Sequence, residues 1–204
     1  QFFRHLHSPK REGPLNGRVC NFGEKGIKTS VLCQFQQSLW PDLKMLPNIT
    51  SLECHFIHQK QFRGITVAHS NGDKYIGRYN SKSNERVDAT LDKINARFRT
   101  DHIKFFKNIP FDELKNYRQR SSAMIDEIVT GGFHLSSIEG LAAGNIVINA
   151  SSNVNLKSFM SFLHLKSPPP FLRTNEQDLE ELLIDLIENF PKYIPLRVES
   201  WEYY

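Results

Sequence analysis

No apolar run in this chain approaches the roughly 20 residues that a membrane-spanning helix needs, and none is expected to cross a bilayer. The opening stretch, QFFRHLHSPKREGP, lacks the apolar centre of a secretory signal. It begins with Gln rather than Met, so the natural N-terminus is expected to lie upstream. Cysteine is scarce. Cys20, Cys33 and Cys54 are odd in number and show no C-x-x-C spacing. That argues against a disulfide framework or a zinc site and suits a reducing, cytoplasmic compartment. There is no internal repeat. Acidic excess is also lacking: the formal net charge is +4. Residues 1–30 hold six Lys/Arg (Arg4, Lys10, Arg11, Arg18, Lys25, Lys28) against Glu12 and Glu24, while the remainder holds 20 of each sign and is neutral. The basic excess therefore belongs to one segment. It reads as a solvated tail rather than a nucleic-acid or membrane patch, and no specific nucleic-acid partner is expected.

What is present is a globular composition: 204 residues, 39% hydrophobic and 24% charged. That length fits one domain with an extension, or two small domains. Residues 1–30 have no clear period, and 31–60 are ambiguous between short helix and strand. Beyond 63 the pattern becomes regular. GITVAH (64–69) reads as a strand. Val87, Leu91, Ile94 and Phe98 recur at helical spacing. HIKFFKNI reads as a strand, and Pro110 opens a helix with acids in its first turn, where the dipole favours them. AMIDEIV (123–129) is a strand, SSIEGLAAG a helix closed by Gly144, and NIVINA (145–150) a strand. NLKSFMSFLHL is helical, and a short strand follows SPPPFL. In TNEQDLEELLIDLIENF, Thr174 or Asn175 can cap a helix whose stripe is Leu179, Leu182, Leu183, Leu186 and Ile187. Strands alternating with helices mean βαβ units, a parallel sheet and helices on both faces. In such sheets ligands sit beyond the carboxyl ends of the strands, where the strand order reverses.

Two loops therefore carry the chemistry. In 130–139, Gly131 and Gly132 permit a sharp turn and close approach to a ligand. The following helix offers its first N–H groups to an anion. Glu139, three residues after Ser136, has two readings: a capping-box acid or a ligand contact. The loop 69–84 holds His69, Lys74, Arg78 and Lys82, either solvated cations or a diphosphate clamp.

Taken together, GGFHLSSIEGLAAGNIVI and its surroundings resemble the signature of retaining glycosyltransferases of the two-Rossmann-domain (GT-B) type. That signature is a Glu, a Gly-Phe-Gly-Leu-like run, a second Glu eight positions after the first, an Ala/Gly-rich turn and a strand. Gly132-Phe133-His134-Leu135 stands for the run and Glu139 for the second Glu. ITVAHSNGDKYIGR looks like the strand and basic loop that open the family's C-terminal domain, and NIPFDELKNYRQRSSAMIDE like its proline-led helix and next strand. The resemblance covers roughly residues 63–204.

The resemblance implies an α/β fold: a Rossmann-like doubly wound parallel sheet, the C-terminal half of a GT-B fold, over 63–204. Residues 1–62 are then an irregular extension or a remnant of the N-terminal domain. It implies a site for a UDP-, GDP- or ADP-linked sugar, with no metal. Glu139 would bind the ribose hydroxyls. Amides of Gly132, Phe133, His134, Leu135 and Ser136 would hold the diphosphate. Arg78 and Lys82, with Lys74 as the alternative lysine, would neutralise it, since a departing diphosphate needs its charge stabilised. The sequence departs from the family in two ways. Its first Glu falls on Gly131, which leaves the catalytic residue unassigned, although Asp126 and Glu127 lie nearby. The family's acceptor-binding N-terminal domain has no counterpart of sufficient length, which implies a fragment, a subunit that depends on a partner chain to supply that domain, or a stripped nucleotide-sugar binder. The expected activity is hexosyl transfer to an unknown acceptor; the alternative is a non-catalytic nucleotide-binding or regulatory module on the same fold.

Overall fold

The computed structural model describes residues 54–67, 85–98 and 110–204, with the backbone of short strands at 30–31, 44–45 and 103–105. Two strands of the N-terminal region, β1 (Ser30–Val31) and β2 (Lys44–Met45), pair in parallel. The main sheet is built from β3 (Ile65–Val67), β4 (Ile103–Phe105), β5 (Ala123–Ile125), β6 (Ile146–Asn149) and β7 (Leu172–Arg173). Its order is β4-β3-β5-β6-β7 and every pair is parallel. From β3 the chain steps to β4 on one side, then crosses to β5 on the other. The strand order thus reverses between β3 and β5.

The intervening helices are α1 (Glu85–Phe98), α2 (Phe111–Arg120), α3 (Leu135–Ala142), α4 (Asn153–Leu163) and α5 (Leu179–Glu188). A 3-10 turn (Phe190–Tyr193) and α6 (Ile194–Tyr203) follow. One face of the sheet presents Ile65, Val67, Ala123, Ile125, Ile146 and Ile148 to α1 (Val87, Leu91, Ile94) and α5 (Leu179, Leu183, Leu186). On the other face, Met124 and Val147 lie under Gly140 of α3. Both faces are covered, which explains why these strands read as unbroken apolar runs rather than alternating ones.

Most elements fall where the periodicity puts them, and the differences are local. The strand read as 123–129 ends at Ile125. Its backbone still bonds β6 through Asp126 N–H to Ile148 O and Ala150 N–H to Glu127 O, at 3.0 and 2.7 Å. Past that point the chain turns back onto the Glu127 carboxylate, as set out below. The helix α4 starts at Asn153 rather than 155, because the Ser152 side chain accepts the Asn155 N–H and caps it. Asn175 does not cap α5 directly. Its Oδ1 accepts the N–H groups of Gln177 and Asp178, a turn that delivers the chain to Leu179.

Residues 54–62, assigned above to the extension, pack on the domain. Gln59 donates to the carbonyls of Arg120 and Ser121 and accepts from the Ser122 hydroxyl. The Phe56 ring lies beneath the Arg197 guanidinium and beside Trp201. Cys54 is buried with Ala142 and Ala143, and burial pushes its thiol up. This stretch closes the amino edge of the sheet, opposite the strand-end loops.

Candidate functional site

The β5–α3 connection emerges at the carboxyl edge, beside the point where the strand order reverses. Two adjacent carboxylates organise it, and both are completely buried. Glu127 lies inside the turn. Its Oε1 accepts the Val129 N–H at 2.7 Å and the Thr130 N–H, and its Oε2 accepts the Gly132 N–H at 2.6 Å. Three converging N–H groups suit a carboxylate, and charge-assisted bonds of this kind are stronger than neutral ones. Gly131, at φ +79, supplies the left-handed residue that brings Gly132 round. The Gly131 carbonyl is held in turn by Ser152 N–H at 2.8 Å and by the Asn155 side chain at 2.6 Å.

Asp126 lies at the head of α3. Its carboxylate accepts the His134 N–H at 2.7 Å and the hydroxyls of Ser136 and Ser137 at 2.9 and 2.8 Å. The N-cap residue of α3 is His134, whose own side chain makes no capping bond. Asp126, reaching over from β5, places the negative charge at the helix start instead, where the dipole favours it. The Ser137 hydroxyl also accepts from Asn149 Nδ2, and Asn149 Oδ1 accepts the Ser151 N–H. The carboxyl ends of β5 and β6 are thereby joined through buried polar groups.

Glu139 does not form a capping box, because Ser136 lies inside α3 rather than at its N-cap. Its carboxylate instead accepts from the Arg118 guanidinium of α2, in a buried ion pair. Burial pulls that guanidinium below its ordinary range and Glu139 opposes the fall. The residue read as a ribose contact thus has a cationic partner within the chain. Among the amides read as diphosphate donors, those of Gly132 and His134 are engaged by Glu127 and Asp126. Phe133 is buried, its ring edge-on to Phe159 and Phe171. Leu135 and Ser136 form the first turn of α3, beside the loop. Arg78, Lys82, Lys74 and His69 lie outside the described residues.

Arg118 escaped the sequence reading. A basic residue in the last turn of a helix usually answers the dipole at the surface. The available signal was the helix FDELKNYRQR itself, which is polar all round yet has to bury something; the residue it buries is Arg118. The anchoring roles of Asp126 and Glu127 were also hidden, because AMIDEIV reads as one strand with both acids inside it, whereas the strand ends at Ile125.

A cleft of about 560 Å³ opens at the carboxyl ends of β6 and β7, lined by Arg173, Asn175, Asp178, Glu181 and Asp185 among others. It lies on the far side of β5 from the strand-order reversal. Its acids outnumber its one arginine, and that arginine donates to Asn153 Oδ1. It does not offer a diphosphate the charge it needs.

These features define an α/β protein whose all-parallel sheet is covered on both faces, with a hydrogen-bonded, carboxylate-filled turn beside the strand-order reversal. No protein-family model matches the chain, and no curated protein does. Among the described residues, no helix is long and apolar enough to cross a membrane.

Proposed function

We propose that the domain binds a nucleotide-activated sugar, UDP-, GDP- or ADP-linked, at the carboxyl edge of the sheet and serves glycosyl transfer of the GT-B kind. The observation that carries this reading is the position of the 126–137 segment. It follows the strand beside the order reversal, where parallel α/β sheets bind their ligands. It is also held in one conformation by bonds to two buried carboxylates. The segment carries the Gly-Phe-x-Leu run of the family it resembles, and the family's downstream Glu follows at Glu139. A thermal-shift and calorimetric panel of UDP, GDP, ADP and their sugars tests the reading. One nucleotide series should raise the melting temperature, with saturable heats. No shift with any of them would favour an α/β interaction domain that takes no such ligand.

A second reading, a non-catalytic nucleotide-binding module, draws support from Gly131. The resembled family carries a carboxylate at that position. Here φ is +79 and the carbonyl is held by two donors, so a side chain could enter only with backbone strain. On either reading the nucleotide dominates affinity and the sugar adds little.

A further inference from the structure

The anion-holding groups of the β5–α3 loop are largely satisfied from within. Asp126 occupies the head of α3, and Glu127 fills the glycine turn. A diphosphate placed there would meet two carboxylates unless a cation stood between. Resting on the nucleotide-sugar reading above, we propose that the His134 side chain, backed by Asp126, is that cation and donates from Nε2 to the diphosphate. His134 Nδ1 lies 3.6 Å from Asp126 Oδ1. That nitrogen is closed to solvent and has no hydrogen-bond partner, while 32% of the side chain is exposed. The exposure therefore belongs to the other atoms of the side chain, and Nε2 lies across the ring from the nitrogen that faces Asp126. With one proton, an imidazole can serve Asp126 or a phosphoryl oxygen as donor, but not both. With two, Nδ1–H faces the aspartate and Nε2–H faces outward.

Among the described residues, the charged groups around it come from β5, the turn, α2 and α3. Asp126 comes from the end of β5. Glu127, in the turn, is directed at the amides of Val129, Thr130 and Gly132. Arg118 of α2 and Glu139 of α3 are closed on each other. Among the described residues, the imidazole is thus the group positioned to answer the ligand's charge at this loop. Its backbone is extended, at φ −120 and ψ −178, which any residue adopts, so substitution at 134 leaves the turn intact.

The test is calorimetry of the full chain with UDP-, GDP- and ADP-glucose, diphosphate diesters whose own charge is constant between pH 5.5 and 8. Imidazole changes charge across that interval. Wild-type affinity for the sugar that binds should fall as pH rises from 5.5 to 8. The His134→Gln variant should bind about 10- to 100-fold more weakly at pH 5.5, the cost of one charged hydrogen bond, and show little dependence on pH. His134→Lys should recover most of the affinity and also be flat with pH. In wild-type protein the His134 ring nitrogen resonances should shift to the doubly protonated pattern when the sugar nucleotide is added. Equal affinities and equal pH profiles for wild type and His134→Gln, with circular dichroism unchanged, would overturn the assignment of His134 and leave the binding reading standing. Absence of binding by wild type to all three sugars would overturn both.

Discussion

The Arg118–Glu139 contact joins two helices that periodicity alone would not connect. Both side chains are buried, so each ion depends on the other for what water no longer supplies. Removing one partner of a buried pair costs about 3–5 kcal/mol, because the survivor is left uncompensated. We therefore expect Glu139→Ala to destabilise the fold by that amount, and Arg118→Met alone to do the same. Replacing both with apolar residues of similar size should cost much less than the sum. A double-mutant cycle in urea measures the coupling. Additive effects would mean that the two groups do not stabilise one another, and loss of stability below about 1 kcal/mol in Glu139→Ala would leave that residue for a ligand role. Glu127 presents a related test. Glu127→Gln keeps the shape but turns an NH2 group toward one of three backbone donors. A cost of about 3 kcal/mol is expected from a lost charged bond and a mismatched donor. Hydrogen exchange at Gly132 should accelerate well beyond the global change. Protection that persists there would mean that the loop is held by something other than this carboxylate.

The helices show where local preference gives way to packing. Alanine is a better helix former than glycine by about 1 kcal/mol, so Gly140→Ala in α3 looks favourable from sequence. In the fold, the added Cβ would lie 2.9 Å from both Met124 Sδ and Val147 Cγ2. The methionine can yield, but the β-branched valine on a buried strand cannot. Overpacking costs about 1–3 kcal/mol, which exceeds the propensity gain, so the variant should be less stable in chemical denaturation. Equal or higher stability would show that α3 can lift from the sheet without loss. At the other end of the chain, α5 is tied to the 3-10 turn by Asp185. Its carboxylate accepts from Lys192 at 2.8 Å, from Asn189 at 2.7 Å and from the Tyr193 hydroxyl. The Lys192 hydrogen bond foremost, then those from Tyr193 and Asn189, hold its pKa down to about 2, against 3.8 for a free aspartate. A depressed acid contributes stability above its unfolded pKa and loses it as pH falls through the folded value. The clasp should therefore persist at pH 4, lose its contribution to stability between about pH 4 and 2, and protonate with a midpoint of about 2. A carboxyl carbon NMR titration reads this directly, and a midpoint near 4 would show that the clasp does not form in solution.

At the scale of the whole molecule, the alternation of strands and helices was legible because each element carries its own period. Leu179, Leu183 and Leu186 mark one helix face, and Ile146, Val147 and Ile148 a strand buried on both sides. The site was legible only as a place. Glycines after a strand and before a helix located the loop, but what fills it depends on which side chains fold inward, and a linear pattern does not encode that. The same limit applies to the boundary drawn at residue 62. The stretch before it has no period, yet Gln59 makes three bonds to the α2–β5 connection, and Phe56 fills the space over Gly144. Gly144 is in the left-handed region, at φ +67, where an added Cβ would stand 2.5 Å from that ring. Arg197 completes the edge: its guanidinium donates to the carbonyls of Gly144 and Ile57, and burial, with Arg63 adding to it, brings its pKa down to about 10. A chain that starts at residue 63 loses the Gln59 bonds, the Ile57 acceptor and the cover over Trp201 and Gly144. Four hydrogen bonds at about 1 kcal/mol each and one half-buried aromatic at about 1–1.5 kcal/mol, half the value for full burial, give a loss of roughly 5 kcal/mol. That is a large fraction of the 5–15 kcal/mol typical of a domain. Urea denaturation of chains starting at residues 54 and 63 compares the two. The shorter one should unfold at a much lower midpoint, or fail to fold at all. Matching midpoints would place the domain boundary at 63, as the sequence pattern suggests, and reduce 54–62 to a passenger on its surface.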